Sequence, residues 1–323
     1  MRTLRQVLRA TAAALALLTA GPPASAAEPP RVLASISPIA SLAAAVMRGV
    51  GEPAVLLPRG ASPHAYSMRP SDARALASAD LVLWVGESLE AFLEEPLQTL
   101  GRPGVAVELI DTEGLTLHET RSGGVWEAGD DGHGHGHAHG HSHGHADGGS
   151  AADAHIWLDP GNAIVLTRRI AAELAARDPA RADRYRTNAE TAVAAIEALD
   201  RELEQTLAAV ADRPYVVFHD AYQYLEQRYG LFPIGAVTIG PERAAGAQRV
   251  RELREAVVSR GATCVFREPG FSPKLLDALA ADTKVKVGVL DPEGLDIAPG
   301  PDGYGELMRR LAAALTGCLA AGG

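Results

Sequence analysis

Short apolar runs alternate with helix-patterned segments along nearly the whole chain, and this alternation limits the fold more than any other feature. "RVLASI", "AVLL", "DLVLWVG" and "VAVELID" read as strands in the first half. Between them lie "PIASLAAAVM", with proline in its first turn, "PSDARALASA", which Ser71 is placed to cap, and "LEAFLEEPLQTL". The second half repeats the scheme. "YVVF", "PIGAVT", "ATCVF" and "VKVGVL" read as strands, and "DAYQYLEQRY", "AQRVRELREAVVSR", "PKLLDALAAD" and "YGELMRRLAAALTGCLA" as helices. Runs that are apolar throughout, rather than alternating, belong to strands buried on both faces. The fold class is therefore α/β. The expectation is two lobes, each a mainly parallel sheet flanked by helices.

One helix stands apart. From Ala180 to Val210, apolar residues recur at Tyr185, Ala189, Ala192, Ile196, Leu199, Leu203, Leu207 and Val210, always three or four apart. A helix of that length reaches about 45 Å, enough to join two lobes. The expected organisation is a leader at 1–26, an N-terminal lobe at 27–179, a rigid linking helix at 180–212 and a C-terminal lobe at 213–323. Residues 115–153 interrupt the first lobe with Gly, His, Asp and Ser. They hold too little apolar surface to offset an ordering cost of about 1–2 kcal/mol per residue, and a long mobile loop is expected.

The leader carries Arg2, Arg5 and Arg9, then the short apolar run "TAAALALLTA", then "ASA". This is the pattern of a cleaved secretory signal, which places the mature protein in the periplasm. The formal charge of −10 argues against nucleic acid as a partner. A monomer is expected. An exported chain with only two cysteines, Cys264 and Cys318, is expected to pair them.

Histidine marks the chemistry. Seven histidines stand at every second position in the loop: His133, His135, His137, His139, His141, His143 and His145. Small residues between them leave many equivalent ligand sets, suited to collecting several metal ions loosely. Four more lie elsewhere. His118 has no pattern around it and reads as an ordinary loop residue. His64 and His219 follow strands, where open α/β sheets bind ligands. His155 stands where the loop re-enters ordered structure. Asp291 follows the last strand and is the candidate fourth ligand. Three imidazoles and a carboxylate or water suit Zn2+.

Several motifs add a resemblance. "PHAYSMRPS" (Pro63–Ser71), "HIWLDP" (His155–Pro160), "FHDAYQYL" (Phe218–Leu225), "FREP" (Phe266–Pro269) and "LDPEG" (Leu290–Gly294) occur in order. Together they resemble the substrate-binding proteins of zinc and manganese ABC importers, in the zinc branch with a histidine-rich loop. The resemblance implies two lobes around a metal cleft and a non-enzymatic role. It also implies, as partners, an ABC importer's membrane permease and its ATPase. Two departures are visible. Pro63 stands where some zinc members have an acidic residue, and "PERAAGAQR" lacks a serine-proline pattern common in relatives.

Two rival readings follow from the same residues. A zinc hydrolase also needs three ligands and an open position, but the H-E-x-x-H pattern is missing, and "HETRS" fails at its last residue. A zinc-storage protein would bind mainly through the repeat.

Overall fold

The computed structural model describes residues 28–320 except 100–101, 103, 122–124, 127–151, 239, 241–245, 273 and 282. The leader and the seven repeat histidines lie outside the described residues. The first lobe holds β1 (Val32–Ala34), α1 (Ser37–Val46), β2 (Ala54–Val55), α2 (Pro70–Ser78), β3 (Leu81–Trp84), α3 (Glu87–Thr99) and β4 (Ala106–Glu108). Then come α4 (Pro160–Arg177) and α5 (Ala182–Leu207). The second lobe holds β5 (Tyr215–His219), α6 (Gln223–Tyr229), β6 (Pro233–Thr238), α7 (Ala247–Ser259), β7 (Cys264–Arg267), α8 (Lys274–Ala280), β8 (Lys286–Val289) and α9 (Gly303–Leu319).

Both sheets are parallel, in the orders β2-β1-β3-β4 and β6-β5-β7-β8. The expected two-lobed α/β architecture is what the structure shows. The burial pattern follows the apolar runs: every residue of β1, β3 and β5 is buried. The edge strands β2 and β8 are less buried, with Ala54, Val287 and Val289 exposed.

The long helix differs from expectation in detail. The α-helix proper is Ala182–Leu207, and 3-10 turns at Pro179–Arg181 and Ala208–Val210 continue it. Its buried stripe runs through Tyr185, Ala189, Val193, Ile196, Leu199, Leu203 and Leu207. Val193 therefore replaces Ala192 in the pattern, because the four-residue step from Ala189 points the larger side chain inward. The helix packs against α1, α4 and α9 and so touches both lobes.

Two local expectations are corrected. The α2 helix begins at Pro70, so Ser71 lies inside it, and the Asp72 carboxylate instead accepts the Arg69 N–H at 2.7 Å. Helix α4 was not foreseen. Asp159 caps it, accepting the Gly161 N–H at 2.7 Å, and Pro160 occupies its first position.

The expected disulfide is present. Cys264 and Cys318 join β7 to α9 with 6.2 Å between Cα atoms. Among the described residues, no helix is long and apolar enough to cross a membrane.

Candidate metal centre

Strand order explains what meets in the cleft. His219 is the last residue of β5, and Glu268 directly follows β7, its sheet neighbour. Their side chains are therefore side by side beyond the carboxyl edge. His219 Nδ1 lies 2.6 Å from Glu268 Oε2. Glu268 Oε1 also accepts the Tyr222 hydroxyl at 3.2 Å.

His155 is built the same way from a different element. Asp153, two residues earlier, accepts the His155 backbone N–H at 3.0 Å and lies 2.7 Å from its Nδ1. Trp157 anchors this turn to the second lobe. Its indole N–H donates to the Pro292 carbonyl at 2.9 Å, and the Tyr304 hydroxyl donates to the Trp157 carbonyl at 2.9 Å. A carboxylate on Nδ1 fixes the proton there and turns the other nitrogen outward as a lone-pair donor. Both imidazoles follow this logic: His155 Nε2 and His219 Nε2 face each other at 3.3 Å.

His64 completes the group from the first lobe, in the short 3-10 turn Pro63–Ala65. Its Nε2 is buried, with no hydrogen-bond partner among the described residues. Its ring centroid is 5.4 Å from that of His155 and 5.7 Å from that of His219. One ligand atom from each of the three histidines lies within 4.8 Å of the others, a set that can hold a metal ion. Zinc–nitrogen bonds of 2.0–2.1 Å in a tetrahedron put the nitrogens about 3.3 Å apart. The His155–His219 pair already has that spacing.

The electrostatics act in opposite directions on His64 and His219. Burial, then the two neighbouring histidines, lower the His64 pKa to about 2. For His219, burial opposes the charged form, but Glu268, Asp220 and Asp153 outweigh it and raise the value.

Asp291 is not brought into the three-histidine group. Its carboxylate instead accepts the backbone N–H groups of Glu293, Gly294 and Leu295 at 3.1, 2.9 and 2.7 Å. His118 lies outside the group too. Its ring packs on Tyr224 with centroids 4.7 Å apart. Sequence reasoning passed over Asp153 and Glu268. The signals were proximity to His155 for one and the "FREP" motif for the other.

Comparison with known proteins now bears on the site. The family model described as "Zinc-uptake complex component A periplasmic" matches residues 32–318. The chain belongs to this family. A high-affinity zinc uptake system protein ZnuA from Brucella abortus is 44% identical over 304 residues, covering 89% of this chain and 91% of its own. Its counterpart from Paracoccus denitrificans is 39% identical, covering 95% and 97%. A crystal structure of ZnuA superposes with a TM-score of 0.72 at 25% identity, covering 90% of this chain and 99% of that one. The ligand of this zinc-uptake family is Zn2+, and its members bind within a transport system rather than catalyse a reaction.

Proposed function

We propose that the protein captures one zinc ion in the interlobe cleft through His64, His155 and His219, and delivers it to the membrane permease of an ABC importer, powered by its ATPase. The observation that carries this reading is the convergence of the three imidazoles. Two have their Nδ1 held by carboxylates, and all are buried or half-buried in one cleft. The fourth position is taken by water, or by Asp291 if a closing movement releases it from its backbone donors. The mature protein, after loss of the 1–26 leader, acts in the periplasm as a monomer. Its working units are an N-terminal lobe at 27–179, a linking helix at 180–212 and a C-terminal lobe at 213–323. The repeat from His133 to His145 serves the cleft as a metal-collecting or zinc-sensing accessory. A storage role would reverse that ranking.

Growth under zinc limitation tests the proposal. Cells lacking this chain are expected to stop growing in chelated medium and to recover with the unmutated chain, but not with His155→Ala. Full recovery with that variant would contradict the proposal.

A further inference from the structure

The segment entering the histidine-rich insertion does not stay with the first lobe. Thr116 N–H donates to the Asn162 side chain at 2.8 Å, on α4. His118 N–H then donates to the Tyr224 hydroxyl at 3.3 Å, on α6. Val125 pairs antiparallel with Gly235 at the free edge of β6, and Trp126 N–H donates to the Ile234 carbonyl at 3.0 Å. The returning segment pairs with this outgoing stem. Glu119 and Ala152 form an antiparallel bridge, and Asp153 N–H donates to the His118 carbonyl at 2.8 Å. Asp153 is the residue that orients His155.

One charged contact holds the stem to the second lobe at its centre. Arg121 Nε donates to both oxygens of Asp220, at 3.0 and 3.1 Å, and its Nη2 bridges Asp220 and Glu226. The two carboxylate side chains are each 2% exposed. The guanidinium lies over the Trp126 ring, 3.7 Å from its centroid. Asp220 is the residue after His219. A guanidinium suits two buried carboxylates this close, because its planar fork can serve both while stacking on an indole.

We propose that Arg121 is a positioning residue for zinc capture. Shared between Asp220 and Glu226, it pins the 116–121 stem to the second lobe. The stem pairs with the returning segment that carries Asp153, so the pin keeps the His155 imidazole set against that of His219. This inference rests on the three-histidine reading above.

The test measures zinc release from the full-length protein into excess chelator, by stopped-flow tryptophan fluorescence, together with the thermal unfolding midpoint. Arg121→Met keeps the contact with Trp126 and removes the charge. It is expected to release zinc about tenfold faster or more, the size of effect seen when support for a metal ligand is lost. Arg121→Met with Asp220→Asn and Glu226→Gln removes the unpaired charges as well. That variant is expected to regain the midpoint yet still release zinc fast, because the stem still lacks its charged contact with the second lobe. Wild-type release from either variant would overturn the inference. If Arg121 merely balances charge, midpoint and release recover together in the triple variant. Failure of the underlying reading looks different: His155→Ala would then leave tight zinc binding unchanged.

Discussion

Buried carboxylates in this protein do two opposite jobs, and the difference is set by their partners. Asp153 and Glu268 each face an imidazole Nδ1. Glu90, wholly buried where β1 and β3 end, has no cation against it among the described residues. It accepts hydrogen bonds from the Ser35 hydroxyl and from the Val85 and Gly86 N–H groups. Burial nevertheless pushes its pKa up to about 7, against those hydrogen bonds, which lower it. The folded-state value lies above the ordinary 4.5, so Glu90's contribution to stability is complete below that pH and is lost as the pH rises through about 7. Glu90→Gln removes the ionisation. The variant is expected to gain up to about 3 kcal/mol on the wild type between pH 5 and pH 8, read by denaturant unfolding at both pH values. An unchanged difference would mean that Glu90 stays charged or neutral throughout. The three histidines could be picked out from sequence because each carries its own motif at the start or end of an element. Asp153 stands two residues from His155 and Glu268 lies in "FREP", but the pairing of Glu268 with His219 and of Glu90 with Ser35 depends on which strand lies beside which, and strand order is not written in local pattern.

At the scale of elements, α5 was legible because its apolar stripe repeats at three and four over seven turns. Its ends were less so, since alanine-rich residues such as Ala208 and Ala211 suit a 3-10 turn as well as an α-helix. Helix α4 has the expected signals, with Asp159 as cap and Pro160 at the first position. A reading that takes "HIWLDP" only as a ligand motif passes over them. The disulfide was predictable from export and cysteine count, but only the fold shows what it does. It fastens α9, which also packs on α5, to β7 inside the second sheet. The bridge joins residues 54 apart, for which chain entropy gives about 4 kcal/mol. Cys318→Ser is expected to lose about that much stability in chemical denaturation while zinc affinity changes little, because Cys264 begins β7 and Glu268, which holds His219, follows its other end. A large loss of zinc affinity at full folding would show that α9 also sets the cleft.

For the whole molecule, the parallel sheets and the pairing of two lobes followed from the alternation of runs, but the cleft did not. That His155 Nε2 and His219 Nε2 approach to 3.3 Å follows from two carboxylates and the Trp157 anchor acting together. Such a nitrogen-rich pocket should prefer zinc to manganese, which favours oxygen ligands. Competition binding is expected to show zinc bound tighter, with the preference narrowed in His219→Glu. Equal or tighter binding of manganese to the unmutated cleft would refute this. Acid should destabilise the fold, read by denaturant unfolding of the metal-free protein at pH 7 and pH 5. The unfolded chain protonates near pH 6.5 at His64, while the folded site resists protonation to about 2. Stability from this residue is therefore present above about 6.5 and is lost as the pH falls below it.

The central claim is that one tight zinc site is made by His64, His155 and His219, with the repeat as accessory. Calorimetry on protein lacking Gly132–Gly149 tests it most directly. One tight zinc per molecule is predicted to remain, and replacing any one of the three histidines with alanine should weaken it at least about tenfold, or 1.4 kcal/mol. Loss of tight binding on deleting the repeat, or unchanged affinity in all three alanine variants, would contradict the account.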